Sequence, residues 1–574
     1  MRPVALSQQA RSQALHDLEH GEPLEVLVVG GGINGAGAAL DAVTRGLRTG
    51  LVEMRDYSSG TSSRSSKLIH GGIRYLEMLD FRLVYEALQE RGRLIEHIAP
   101  HLIRPVRFLT PLTEPVWQRV YFGAGVALYD TMAHAHGLGG GLPIQRQLTR
   151  GQAARLFPSL KTSAITGALL FSEAQVDDAR LVVEIIRTAA SYGALVTNRV
   201  EVTGFLRQGE RVVGVRVHDR EAGRDFAIHA EQVINATGVW TDDVQRMLDE
   251  RGSFNVRASK GVHLVIPKDR IHAEVGMAMK TDKSLLFIIP WGRHWILGTT
   301  DTDWHFDKTH PAATSADIAF ILRWANTFLT TALTPEDVEG VYAGLRPLLS
   351  GESEETSRLS REHIVRHTAP GLVVVAGGKY TTYRAVAQAA VDRAAYALGR
   401  KVPACETATL PLIGAQGYAA IRNQRKQLAA RYGIHVARVE HLVNRFGWLA
   451  IEVLELVAAD ARLAEPLPEA DDYIGAEVAY AAAAEGALHL DDVLTRRTRI
   501  SIEAWDRGVA AAGRAAQIMA AVLGWSPEHA AHEVELYRER VLAERESQRM
   551  PDDESADAAR LKAREVVGGW THRP

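Results

Sequence analysis

Six residues, Gly30-Gly31-Gly32-Ile33-Asn34-Gly35, stand between the apolar run Leu24–Val29 and the alanine-rich stretch Ile33–Arg45, and few folds admit that placement. The run reads as a buried parallel strand, the stretch as a helix, and Thr49–Glu53 as a second strand, giving a βαβ unit. In G-x-G-x-x-G the first glycine allows a tight turn, the second lets the backbone approach a pyrophosphate, and the third lets helix and strand pack closely. The helix N-terminus then offers amides and partial positive charge to the phosphates. Glu53 ends the second strand roughly twenty residues on, where an acid binds a ribose hydroxyl and argues against a 2′-phosphate. Gly30, Gly32, Asn34, Gly35 and Glu53 are therefore candidate dinucleotide-binding residues.

Two later segments bear on whether the dinucleotide is FAD or NAD. Val233–Trp240 is an apolar strand running into Ala236-Thr237-Gly238, and Gly377-Gly378-Lys379-Tyr380-Thr381 joins the apolar strand Leu372–Ala376 to a helix over Thr382–Leu398. Two glycines at a helix N-terminus bring amides close to a ligand, and the dipole there would stabilise negative charge on a reduced flavin. The three motifs lie more than three hundred residues apart, so the nucleotide domain must be discontinuous. A serine-rich run, Ser58–Ser66, leads into Lys67-Leu68-Ile69-His70-Gly71-Gly72-Ile73-Arg74-Tyr75. Its small hydroxyls and glycines suit close packing around a flat cofactor.

Composition removes other classes. The formal net charge is -3, against a nucleic-acid binder, and the single cysteine, Cys405, cannot build a disulfide, a zinc site or an iron–sulfur cluster. Electrons must leave from an organic cofactor. No apolar stretch of about 18 residues is present, so no transmembrane helix is expected, and the polar N-terminus, a short helix opened by Ser7, carries no export signal. The 574 residues exceed one core. The expected domains are an N-terminal helical extension (1–23), an FAD-binding domain (24–105, 168–256 and 345–402), a substrate domain (106–167 and 257–344), and a C-terminal domain (403–574). The last reads as all-helical, with a helix starting at Ser526-Pro527-Glu528 and a charged tail from Met550 that is expected to be partly disordered. The fold class is α/β: a Rossmann-like FAD domain, a mixed-sheet cap domain and the helical addition.

Thr61–Glu77, Val176–Leu181, Ile289-Pro290-Trp291, Gly298–Asp301, Gly344–Leu348 and Gly377–Arg384 together resemble FAD-dependent glycerol-3-phosphate dehydrogenase, in order from Leu24 to about Leu398 and more loosely beyond. The resemblance implies non-covalent FAD, oxidation of glycerol 3-phosphate to dihydroxyacetone phosphate, and electron transfer to membrane quinone. It also implies a homodimer, peripheral on the inner, cytoplasmic face of the membrane. It places cofactor contacts on Thr61, Ser62, Ser66, Lys67, Leu68, His70, Gly71, Gly72, Thr237, Gly238, Gly378, Lys379 and Thr381. Substrate contacts carry over onto Arg74, Tyr75, His263, Arg346 and Lys379.

The chemistry agrees with the charges. A dianionic phosphate calls for cations, and an arginine fork binds two oxygens at once. Arg346 and Arg74 are candidates for that clamp or for the reacting oxygen; Lys379 is placed to stabilise charge near the flavin. A base must take the hydroxyl proton, and His263 and His70 are both candidates. A hydrogen-peroxide-forming oxidase, an amine-oxidising flavoenzyme and a non-catalytic FAD-bound scaffold are the rival readings. The short interval between Arg346 and Lys379 speaks for the dehydrogenase over the oxidase. No metal is expected: Asp177-Asp178 reads as a helix start or ion pair. Arg496-Arg497-Thr498-Arg499 reads as a solvated basic face, with lipid or interdomain contact as the alternative. Arg104–Tyr129, with its aromatics and arginines, reads either as a membrane-facing surface or as a substrate-domain wall.

Overall fold

The computed structural model describes residues 4–71, 81–114, 142–248, 256–282, 285–349 and 363–566. Gly72, Arg74 and Tyr75 lie outside the described residues, as do 115–141 of the aromatic segment.

A nucleotide sheet runs in the order His363–Ala369, Leu372–Gly377, Arg224–Asn235, Leu24–Val29, Thr49–Val52, Leu195–Thr197. The last five are mutually parallel, and His363–Ala369 closes the edge antiparallel. Parallel strands are covered on both faces, and these are continuous apolar runs for that reason. Helices Ile33–Thr44, Asp178–Ser191 and Tyr383–Ala397 pack one face around Val26, Val28, Ile234 and Val373. The other face is covered by the Val200–Gln208 and Arg211–Asp219 hairpin together with Leu15 and Leu18 of the N-terminal helix, which Ser7 caps as expected.

A second, ten-stranded mixed sheet is built on Val256–Pro267, which pairs from Val256 to Val265 with Gly340–Leu349. Gly167–Gln175 belongs to this sheet, paired with Arg104–Leu112. The chain therefore returns to the nucleotide domain at the Asp178–Ser191 helix, later than residue 168. Arg104–Leu112 is itself an interior strand, flanked on its other side by Gly276–Lys280, and Phe108 is fully buried. The described part of the aromatic segment is thus a wall of the substrate domain.

Beyond residue 403 the chain is helical apart from a hairpin, Pro466–Leu467 with Ala470–Ile474. Pro527–Ser547 starts where Ser526 and Pro527 predict. The tail to residue 566 is packed, not loose: Asp552 caps the helix Asp553–Arg560, Asp553 accepts from buried Lys260, and Glu565 pairs with Arg55 and His310. The Arg496–Arg499 cluster is buried, not solvated, because it faces the carboxylates of another domain. Arg496 and Arg497 share Asp56, Arg499 binds Asp177 and Asp178, and nearby Arg180 forks onto Glu485. Asp177 caps its helix and Asp178 lies inside this network, as the helix-start and ion-pair reading requires. No helix among the described residues is long and apolar enough to cross a membrane, and none of their carboxylate, histidine or cysteine groups could hold a metal ion.

Candidate active site

The three glycine motifs meet at the carboxyl ends of adjacent parallel strands, where Val29, Asn235 and Gly377 terminate. Ligands of open α/β sheets bind there. Gly30 has φ +109°, and a Cβ on it would lie 2.8 Å from the Ala236 carbonyl; one on Gly35 would lie 1.9 Å from the Gly30 carbonyl. Gly32 caps the Ile33–Thr44 helix, whose first amide, from Ile33, donates to Ser62 Oγ at 3.0 Å. Asn34 reaches across to the Gly377 carbonyl with its amide nitrogen, while its Oδ1 is buried without a hydrogen-bond partner. Glu53 accepts from the Gly31 and Arg55 amides at 2.6 and 2.9 Å. Burial raises its pKa against those two hydrogen bonds. Thr237 is fixed by Asn235 Oδ1, and Gly238, Gly377 and Gly378 all have positive φ, which opens the backbone beside the strand ends. A tight glycine turn, an exposed helix N-terminus, an acid at the second strand and an unmet acceptor on Asn34 fit a dinucleotide such as FAD.

Thr61–Gly71 threads between the two sheets and ties them. Thr61 donates to the Leu345 carbonyl at 2.6 Å, Leu68–Ile69 pairs with Ala174–Gln175, and the His70 amide donates to Thr381 Oγ1 at 3.1 Å. Gly71 points its amide at Glu173. The Thr381 hydroxyl is thereby joined to the His70 backbone. Lys67, a candidate cofactor contact, turns its side chain onto an acid. Its ammonium is fully buried, 2.7 Å from Asp178, between the rings of Trp291 and Tyr342.

The paired strands Val256–Pro267 and Gly340–Leu349 present one face that carries His263 and Arg346. Antiparallel register sets His263 across from Tyr342 and Ser259 across from Arg346, so alternate residues of both strands share that face. The His263 and Tyr342 rings stack with centroids 4.8 Å apart, and His263 Nε2 is 2.8 Å from Ser66 Oγ. Burial, then the charges of Arg346 and Lys67, hold His263 well below its ordinary pKa. Arg346 donates to Thr299 Oγ1 at 2.8 Å and to the Thr300 carbonyl at 3.1 Å, with Asp301 at 3.5 Å and in turn bonded to Ser259. Glycines make room for both groups. A Cβ on Gly261 would lie 2.5 Å from Arg346 Nη2, and one on Gly298 would lie 2.4 Å from His263 Cδ2. Lys379 stands half-buried next to Gly378 in the third motif. His263, Arg346 and Ser66 are thus gathered on one wall, while His70 and Thr381 join the Thr61–Gly71 segment to the third motif. Tyr342 and Ser259, which lie beside the histidine and the arginine, were not singled out from sequence, and Thr299 and Asp301 entered only within the Gly298–Asp301 motif, with no role assigned. The i, i+2, i+4 alternation of Tyr342, Gly344 and Arg346 is the signal that could have found the first.

Residues 25–393 match the family described as FAD dependent oxidoreductase, and residues 405–530 the family described as C-terminal domain of alpha-glycerophosphate oxidase. Over 545 residues the chain is 52% identical to glycerol-3-phosphate dehydrogenase 2 of Mycobacterium bovis, covering 95% of this chain and 92% of that one. The mitochondrial glycerol-3-phosphate dehydrogenase of Homo sapiens is 36% identical, over 91% of this chain and 74% of that one. Among solved structures, the glycerol-3-phosphate dehydrogenase of Bacillus halodurans complexed with FAD superposes with a TM-score of 0.76 at 28% identity, covering 93% of this chain and 98% of that one.

Proposed function

The chain belongs to the family of FAD-dependent glycerol-3-phosphate dehydrogenases, and from that premise we propose how its own residues carry out the oxidation and where the electrons go. When bound, FAD supplies the two-electron acceptor for the hydride on C2 of glycerol 3-phosphate. Arg346 meets the substrate oxygens with a fork already oriented by Thr299 and the Thr300 carbonyl. His263 takes the hydroxyl proton. It is neutral because of burial and of Arg346, and a base must be unprotonated to act. His263 is favoured over His70 because it shares a sheet face with Arg346, whereas His70 is fixed through its backbone to Thr381. Lys379 balances charge at the flavin edge, and Arg74 and Tyr75 complete the phosphate contacts. The observation that carries this reading is Arg346 laid over Gly261 beside a buried neutral histidine, on the wall facing three cofactor-type glycine turns.

The acceptor in this reading is a membrane quinone, reached by a homodimer resting on the inner, cytoplasmic face of the membrane. The oxidase alternative keeps a foothold in the C-terminal match, so the acceptor has to be measured. Anaerobic addition of glycerol 3-phosphate to the purified holoenzyme should bleach the flavin absorbance, with glycerol far weaker. Reoxidation should then be much faster with a short-chain quinone than with oxygen. Fast reoxidation by oxygen with stoichiometric peroxide would replace the dehydrogenase reading by the oxidase; no bleaching would remove the phosphate-clamp roles of Arg346, Arg74 and Lys379.

A further inference from the structure

A cavity of about 60 Å³ lies where three parts of the molecule meet: Ser63 and Arg64 of the serine-rich segment, Val341–Ala343 of the substrate sheet, and Arg499, Ser501, Arg540 and Arg560 of the C-terminal domain. On the same measure one water needs only about 15 Å³. Its wall is strongly cationic. Arg499 is committed to Asp177 and Asp178 behind the wall. Arg540 binds Asp491 and shares Glu544, the one carboxylate on the wall, with Arg560. Arg64 has no carboxylate: its guanidinium donates to the Thr309 carbonyl at 3.2 Å. The leading charges acting on Arg64 are other arginines, Arg540, Arg55, Arg560 and Arg496, and with burial as the larger cause they bring its pKa down to about 9. A second group also lacks a partner. Ser501 is 3% exposed, lines the same cavity, and its Oγ is buried without a hydrogen bond.

A guanidinium held among like charges without a counter-ion, beside an unmet hydroxyl donor, is costly unless an anion supplies both needs. We propose that this cavity is a binding site for a small tetrahedral oxyanion of the size of inorganic phosphate, held by Arg64, Arg540, Arg560 and Ser501. The ion would join the segment that leads into the cofactor loop to the last two helices of the chain. It would therefore stabilise the domain junction, separately from the wall that carries Arg346 and His263.

The test is thermal melting of the holoenzyme in inorganic phosphate against chloride at equal ionic strength. Three proteins are compared: the wild type, Arg64→Gln, and Ser501→Asp, which builds a carboxylate into the cavity. Phosphate should raise the melting temperature of the wild type, and both variants should keep only the smaller part of that rise that phosphate at the substrate wall supplies. Ser501→Asp should melt higher than wild type in chloride, since it carries its own counter-ion. Competition of phosphate with glycerol 3-phosphate in steady-state assays should change less than about twofold in either variant, because that competition occurs at Arg346. Equal phosphate stabilisation of all three proteins would place the ion at the substrate wall alone and overturn the proposal, as would no stabilisation of the wild type. Should Arg64→Gln fail to fold, Ser501→Asp decides the matter by the same readings.

Discussion

In the proposed mechanism two side chains act through what holds them. Arg346 is bound by Thr299 and the Thr300 carbonyl, which fix the plane of its fork before substrate arrives. Arg346→Lys keeps the charge but loses the fork, so kcat/KM for glycerol 3-phosphate should fall by roughly a hundredfold, about 3 kcal/mol, with the flavin spectrum retained. A loss under threefold in steady-state assays would remove Arg346 from the clamp. His263 gives a test in pH. Its pKa is depressed by burial and then by Arg346 and Lys67, so it is deprotonated already below its ordinary value of 6.5. If it is the base, kcat/KM is level from pH 6.5 upward on the acid side and falls only below that. An acid limb centred at or above 6.5 in the wild-type profile would assign the proton to another group. Of these residues, Arg346 and His263 stand out in sequence as candidates, and a preference between His263 and His70 does not, since it depends on which strands become neighbours.

At the scale of elements, the functional face exists because two antiparallel strands spend glycines where side chains must lie flat. Gly261→Ala puts a methyl 2.5 Å from Arg346 Nη2 and 2.6 Å from Thr299 Oγ1. The guanidinium can swing away, so the fold should survive with a melting temperature within a few degrees of wild type, while kcat/KM drops about tenfold or more from misplacement alone. Wild-type kcat/KM together with an unchanged melting point would show that Arg346 does not need to lie over Gly261. The nucleotide sheet was readable because its strands are short apolar runs ended by glycine, a pattern that fixes strand, turn and helix locally. The ten-stranded sheet was readable only as strand-rich sequence. Its pairing of Val256–Pro267 with Gly340–Leu349, about eighty residues apart, has no local signature. Arg104–Leu112 carries no strand signature for a related reason: prolines and arginines disguise a strand whose residues Phe108 and Leu109 are fully buried.

Over the whole molecule, charge that sequence assigns to the surface is spent at the domain junction. Arg496, Arg497 and Arg499 find Asp56, Asp177 and Asp178 across the interface, more than three hundred residues earlier in the chain. A cluster of arginines in a helical region carries no sign of distant acids, so no local reading could bury it. His489 belongs to the same design. Its Nδ1 is 2.9 Å from Glu533 on the Pro527–Ser547 helix, and its Nε2 is 2.9 Å from Glu221 in the turn after the Arg211–Asp219 strand. Burial and Arg199 would lower its pKa, but the two glutamates outweigh them and raise it to about 10. A group whose folded pKa lies above its unfolded value of 6.5 contributes stability in full below pH 6.5 and loses it as pH rises through about 10. The holoenzyme should therefore melt several degrees lower at pH 9.5 than at pH 6.5. His489→Gln, which cannot bridge two carboxylates as a cation, should melt lower than wild type at pH 6.5 and show a smaller drop between the two pH values. Parallel melting curves for the two proteins across that range would show that this histidine does not bind the C-terminal domain to the nucleotide domain as an ion.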